Sequence, residues 1–366
     1  MKVGFIANSG WYLSNFRDST IERLSKRYNV VCFYPFENKE QKVESLSAKK
    51  CNIYLNPTSV NLVKEFFSLI SIFLNIMTNR PKILFSFNPK TNLYALISCY
   101  LLRIPCVPNV SGVGDASNLG GIAGKLYRVL SKFFYRRSHF IFFQNFDDLD
   151  KFVALGWADP ENSCVIPGSG VDLKRFRPRK RDGYVTFLMA SRLIKPKGVV
   201  EYVEASRNIL ESYNQIKFYL AGIHDKSLRS VDTKFIEGLS GDGDVEFLGH
   251  VEDMPRLLDN IDCVVLPSYY PEGTPRCLLE AIGAGKIVIT TNTPGCRDVV
   301  VVGENGYLVE PRSISQLEEA IRKVVSMSRS QIEEMQVFSR LLAESNFDEE
   351  VVIRRYIEVV EKFTNT

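Results

Sequence analysis

The chain has 366 residues, 45% of them apolar and 24% charged, a balance that excludes disordered and collagen-like classes and leaves room for two domains of ordinary size. Its net charge of +4 divides unevenly. Residues 1–180 carry 25 Lys+Arg against 13 Asp+Glu, and residues 181–366 carry 21 against 29. The halves are expected to meet different partners, the basic one suiting a phosphate-bearing lipid, an anionic membrane or nucleic acid. Eight cysteines without a C-x-x-C pair read as free thiols in a reducing compartment.

The chain opens directly on a strand, "KVGFIA", with no signal-peptide pattern. Its longest uncharged apolar run, 66–79, is shorter than the roughly 20 residues that span a bilayer. The expectation is a cytoplasmic protein. In the first half, strands are predicted at 2–7, 29–34, 51–55, 82–86, 105–109, 139–143 and 163–166, with helices at 14–27, 59–78, 91–102, 122–136 and 146–155. In the second half, strands are predicted at 184–190, 216–221, 245–248, 262–266, 286–290 and 306–309. Helices follow at 197–211, 253–259, 275–284, 313–326 and 330–344. Such alternation implies α/β architecture with parallel sheets covered on both faces. The charged stretch "RPRKRDG", 177–183, reads as a linker between two doubly wound, Rossmann-like domains, 1–177 and 178–347. These would face each other across a ligand-binding cleft. A last helix within 348–366 would close the second domain or cross back to the first.

The chemistry concentrates in "YYPEGTPRCLLEAIGAG", 269–285. Thr274 suits an N-cap and Pro275 a first helical position. The helix end is a natural anion site, yet Glu272 precedes it and Glu280 lies within it. Carboxylates repel phosphate but accept hydrogen bonds from vicinal hydroxyls. A nucleotide sugar has hydroxyls on both sides of a diphosphate, so one acid would hold the ribose and the other the sugar. "MASRLIKPKGV", 189–199, supplies Arg192, Lys195 and Lys197 at a strand's carboxyl end, where they would neutralise a departing diphosphate without metal.

On these residues, "PEGTPRCLLEAIGAG" resembles the E-x7-E motif of the retaining family 4 glycosyltransferases, which have the GT-B fold. "ASRLIKPKGV", "VIPGSGVDLKRFRP" and "FLGHVEDMPRLLDNIDCVVLPS" resemble that family's diphosphate segment, domain junction and base-binding loop. "EGTPR…LEA…PGCRD" with "NVSGVGD" is similar to a subgroup that extends polyprenyl-diphosphate-linked saccharides. The resemblance implies that Glu280 binds ribose, that Glu272 contacts the donor hexose, and that Arg192 and Lys197 hold the diphosphate. Backbone from Gly273 and Thr274 to Cys277 would assist, and backbone near His250 and Val251 would read the base. Gly10 in the first loop, and Gly112 and Asp115 after the fifth strand, would approach the substrates. Arg17 and Arg276 would touch the acceptor diphosphate or the donor.

The sequence departs from the family in having only Gly10 in "NSGWYLSNFR" and no histidine in "PNVSGVGDA". Asp115 is the nearest substitute there. In front-face transfer the leaving diphosphate oxygen can itself take the acceptor proton.

The implied activity moves a hexose or N-acetylhexosamine from a nucleotide sugar, expected to be UDP-linked, to a polyprenyl-diphosphate-linked saccharide. It would do so peripherally, at the inner face of the cytoplasmic membrane. A GT-B nucleotide-sugar 2-epimerase and a non-catalytic nucleotide-sugar or lipid-binding protein are the alternatives. No cofactor, metal or nucleic-acid partner is implied: Asp148-Leu-Asp150 and Asp242-Gly-Asp244 read as a helix start and a turn, and His139, His224 and His250 lack ligand spacing. The basic, aromatic helix 124–140, with 59–78, would give the first domain a side that faces an anionic membrane.

Overall fold

A computed structural model of the chain describes every residue except 37–45, 57, 58, 60, 113–119, 225–228, 243 and 364–366. The chain divides into two compact units, Met1–Ser169 with Glu349–Thr366, and Gly170–Asp348.

The first unit holds a seven-stranded parallel sheet: β1 (Lys2–Ile6), β2 (Asn29–Tyr34), β3 (Lys49–Asn52), β4 (Ile83–Phe87), β5 (Cys106–Val110), β6 (Ile141–Phe143) and β7 (Ser163–Val165). The order is β3-β2-β1-β4-β5-β6-β7. Its helices are α1 (Gly10–Phe16), α2 (Asp18–Ser25), α3 (Leu62–Asn79), α4 (Pro89–Leu102), α5 (Gly121–Tyr135) and α6 (Phe146–Ala154). The second unit has six parallel strands: β8 (Val185–Ala190), β9 (Ile216–Ala221), β10 (Val245–Gly249), β11 (Cys263–Leu266), β12 (Ile287–Thr291) and β13 (Gly306–Val309). They run in the order β10-β9-β8-β11-β12-β13. Helices α7 (Val199–Leu210), α8 (Thr233–Asp242), α9 (Met254–Leu258), α10 (Arg276–Gly283), α11 (Ile314–Val325) and α12 (Arg329–Asn346) belong with them. Strands such as "CVVL" and "IVITT" are buried along their whole length, as sheets covered on both faces require.

The last helix, α13 (Glu349–Lys362), belongs to the first unit. Its Tyr356 ring lies 4.8 Å from both Phe85 and Phe142, and its hydroxyl accepts from Asn109 Nδ2 at 3.0 Å. Val352, Val359 and Val360 join the same core. Segment 177–183 lies in the second unit, where Arg181 reaches the buried Asp262 at 2.8 Å. Arg329 grips the other oxygen of that carboxylate at 2.7 Å.

The expected helix 14–27 is two helices, because Arg17 leaves helical backbone (φ −136°, ψ 5°) between them. Helix α8 was not anticipated, since Gly238 and Gly241 interrupt its pattern. Among the described residues, α3 is the one helix long and apolar enough to cross a membrane by length and composition. The apolar run 66–79 is shorter because Lys64 and Glu65 interrupt it, while Leu62 and Val63 extend the helix beyond them. Ser68, Ile72 and Ile76 of α3 are buried, whereas Leu62, Val63, Phe66, Phe67 and Leu74 are exposed.

Candidate active site

In the second sheet, β8 lies between β9 and β11. The chain order reverses at β8/β11, so the loops leaving these strands diverge and open a crevice at their carboxyl ends. Two loops meet there. After β8 comes Ser191-Arg192, then a 3-10 turn at Lys195–Lys197. After β11 comes the loop 267–275 that carries Glu272. Tyr269 N donates to Pro196 O at 2.9 Å, tying the second loop to the first.

Lys197 and Glu272 form an ion pair in this crevice, Nζ to Oε2 at 2.5 Å, with side chains 11% and 12% exposed. Ser268 Oγ donates to the other carboxylate oxygen at 2.8 Å. Glu280, on α10, accepts from Arg276 Nε at 2.7 Å, the i,i+4 pairing that a helix face allows. Burial raises the Glu280 carboxyl above its ordinary range, and the nearby Arg276 and Arg175 oppose that shift. Burial also pushes the Cys277 thiol up to about 12, so this cysteine is a protonated wall residue and no nucleophile.

Helix α10 begins one residue later than the sequence pattern suggests. Its N-cap is Pro275, without a side-chain cap, and Arg276 is its first residue. Thr274 is buried just before it. Gly273 is buried too, and its carbonyl is pressed by the loop after β12: a Cβ on Gly295 would stand 1.5 Å from Gly273 O. Gly295 has φ +78°. Arg192 is exposed at the rim, its guanidinium carbon 5.9 Å from the centroid of Tyr270. His250 and Val251 follow β10; His250 is exposed and Val251 packs against the core.

The remaining candidates lie in the first unit. Gly10 is buried at the start of α1, after the Ser9 N-cap. The loop after β1 meets the end of β4 where Asn8 N donates to Asn88 Oδ1 at 3.2 Å, at that sheet's own order reversal. Gly112 is buried just after β5; Asp115 lies outside the described residues. Arg17 is 1% exposed. Its guanidinium lies over Phe87 at 5.2 Å and Tyr356 at 5.5 Å, and Nη1 approaches Gly168 O at 3.5 Å. Arg17 is thus enclosed between α13 and the sheet in this conformation.

Sequence reasoning missed Ser268, Tyr270, Gly295 and Arg229, whose guanidinium carbon lies 5.4 Å from the Tyr270 ring centroid. A serine four residues before a motif glutamate carries no signal by itself. Gly295 stands in "PGCRD", which the motif comparison already included. His139, expected to begin a strand, precedes β6 and is exposed, its ring edge-on to Phe363. Asp148 supports the start of α6, where Asn145 Nδ2 donates to it at 3.0 Å, and Asp244 pairs with Arg207 at 3.5 Å. All eight cysteines are free thiols.

Residues 137–339, more than half of the chain, match the model of the family described as glycosyl transferases group 1. The chain belongs to this family. It is a group 1 glycosyltransferase built on two parallel-sheet, Rossmann-like units of the GT-B type. Over 99% of both chains it is 25% identical to the N,N'-diacetylbacillosaminyl-diphospho-undecaprenol alpha-1,3-N-acetylgalactosaminyltransferase of Campylobacter jejuni. It is 26% identical to a UDP-Gal:alpha-D-GlcNAc-diphosphoundecaprenol alpha-1,3-galactosyltransferase of Escherichia coli, over 73% of this chain and 72% of that one. Among solved structures, Anabaena Alr3699/HepE in complex with UDP superposes with a TM-score of 0.80 at 17% identity, over 99% of this chain and all of that one. This group 1 glycosyltransferase therefore shares its fold with a UDP-bound protein and its sequence with two enzymes named for diphosphoundecaprenol-linked acceptors.

Proposed function

We propose that this glycosyltransferase transfers a hexose or N-acetylhexosamine, with retention, from a UDP-sugar to a polyprenyl-diphosphate-linked saccharide. The observation that carries the proposal is the convergence of Lys197 and Glu272 in one crevice at the carboxyl ends of β8 and β11, with Glu280 on the helix that follows. The donor diphosphate would lie against Arg192, Lys197 and the backbone at the start of α10, the ribose on Glu280, the base near His250 and Val251, and the hexose on Glu272. In the reaction the bond from the sugar's anomeric carbon to the diphosphate oxygen breaks. A bond to the acceptor hydroxyl oxygen forms on the same face, and the hydroxyl proton passes to the departing diphosphate. The cations stabilise charge that develops on that leaving group.

The acceptor would bind the first unit, near Gly10, Gly112 and Asp115. The exposed apolar residues of α3, together with Lys125, Arg128 and Lys132 on α5, suit a peripheral position on the anionic inner face of the cytoplasmic membrane. Incubation with labelled UDP-sugars, with and without a polyprenyl-diphosphate saccharide, tests the reading. Acceptor-dependent transfer supports it; an isomerised donor sugar, or binding without turnover, overturns it.

A further inference from the structure

The first unit has a small cavity of its own, about 30 Å³, between the start of α4, the end of β5, α5 and α6. Such a space takes about two water-sized groups. An aromatic cluster forms one side. Tyr135 meets Phe152 edge-on at 5.2 Å, Phe152 meets Trp157 edge-on at 5.2 Å, and Tyr135 stacks on Trp157 at 6.4 Å. Asn92 brings a polar group to the same space. It is 1% exposed, and its Nδ2 donates to Asn109 O at 3.0 Å. Asn92 also opposes the burial that raises the Tyr135 hydroxyl, as an N–H donor to that oxygen does. The nitrogen side of the amide is thus committed. Its Oδ1 is buried and has no hydrogen-bond partner among the described residues. Leaving such an acceptor unpaired costs about 1–3 kcal/mol. Gly112 lines the cavity too, directly after β5, at the carboxyl end of the sheet where ligands of open α/β folds bind.

We propose that this cavity receives the acetamido group of an N-acetylated sugar in the acceptor, with its N–H donated to Asn92 Oδ1 and its methyl group against the rings of Tyr135, Phe152 and Trp157. The proposal rests on the acceptor reading above. The chemistry of the walls selects the ligand. Oδ1 accepts and cannot donate, so it repels phosphate oxygens. Lys151 lines the cavity but is exposed and acts on Asp148, whose carboxyl it pulls down. No buried cation lines the cavity among the described residues. A hydroxyl satisfies Oδ1 and leaves the rings without an apolar partner. An isoprenoid unit fills the space against the rings and leaves Oδ1 unpaired. An acetamido group carries one N–H donor beside one methyl, and its methyl and carbonyl match the space. The Ser111 hydroxyl, also in the lining, can donate to that carbonyl. Water in the cavity gains little from the rings, so displacing it costs little.

The test is calorimetric binding of two acceptors in detergent, polyprenyl-diphosphate-linked N-acetylglucosamine and polyprenyl-diphosphate-linked glucose. They differ only by acetamido against hydroxyl. Wild type should bind the N-acetylated acceptor about tenfold more tightly or better. Leu155 lines the cavity and is 45% exposed, so Leu155→Trp puts a larger side chain at the opening without disturbing the core. It should cut the preference to about twofold or less, and leave UDP affinity and the melting curve unchanged. Asn92→Leu should lose the same preference and still bind the glucose-linked acceptor; if that variant does not fold, Leu155→Trp carries the test. Wild-type affinities within about twofold of each other, or binding of neither acceptor, would overturn the assignment. So would a preference that survives Leu155→Trp, or an equal loss of both acceptors in that variant. If wild type transfers sugar to no polyprenyl-diphosphate saccharide, the acceptor reading fails with it. If it transfers to both acceptors equally well, only the acetamido pocket fails.

Discussion

Lys197 reaches Glu272 at 2.5 Å while Ser268 donates to the other oxygen of the same carboxylate. The acid proposed to position the donor sugar and the cation proposed to hold its diphosphate are thus partners of each other. Under the proposed assignment donor binding would be an exchange, with Lys197 shifting toward phosphate and Glu272 turning an oxygen toward a sugar hydroxyl. Glu272→Gln keeps an oxygen for Ser268 and releases Lys197 from a competing charge. UDP affinity should stay the same or rise, while turnover should fall about 10²-fold or more, as for loss of one preorganised transition-state contact. Calorimetry and a transfer assay separate the two effects. A parallel loss in UDP affinity would place Glu272 on the nucleotide side.

Lys197→Met should weaken UDP and also destabilise the second unit. Both side chains of the pair are nearly nine-tenths buried, so removing the cation takes the Lys197 charge away from a poorly solvated carboxylate. Breaking such a pair costs about 3 kcal/mol or more, whereas replacing both partners costs less. Denaturant unfolding of Lys197→Met, Glu272→Gln and the double variant should show the double less destabilised than the sum of the singles.

Glu280 offers a pH signature. Burial raises its carboxyl above the ordinary value of 4.5, with Arg276 and Arg175 pulling the other way. Only the ionised form accepts two hydrogen bonds from a diol. As pH falls, Glu280 takes up its proton earlier than an unperturbed glutamate, so UDP affinity should begin to drop above pH 4.5. Glu280→Gln should bind UDP about tenfold more weakly at neutral pH and lose that acid limb. A limb that survives in Glu280→Gln would belong to another group.

The sheets and the E-x7-E helix were legible because their signals are local: continuous Val/Ile runs, turn residues, and two acids eight positions apart. Arg229 was not, because it joins the crevice through pairing between segments more than thirty residues apart, and neither segment advertises its partner. Arg17 shows a second kind of limit. Its residue type and place after the first loop suggested a ligand contact. The side chain instead lies between Phe87 and Tyr356, and only the return of α13 to the first unit brings Tyr356 there. Lys197–Glu272 fell between these cases: both residues were legible, their mutual contact was not.

Gly295 holds the acid's loop from behind. Its φ of +78° is one that side chains disfavour, and a Cβ there would stand 1.5 Å from Gly273 O and 3.1 Å from Glu272 O. The obstacle is backbone, which cannot rotate away as a side-chain end can. Gly295→Ala must therefore either destabilise the second unit or displace the Glu272 loop. Gly303 provides the control: its φ is +85°, yet a Cβ there meets nothing within 4 Å. Gly303→Ala pays backbone strain alone, about 1–2 kcal/mol, and should keep full transfer activity. Gly295→Ala should lose transfer activity about 10²-fold or more, beyond what its stability change explains, while a folded fraction still binds UDP through Glu280 and the cations. Equal behaviour of the two alanine variants, in denaturant unfolding and in transfer, would show that the close approach to Gly273 is not what positions Glu272.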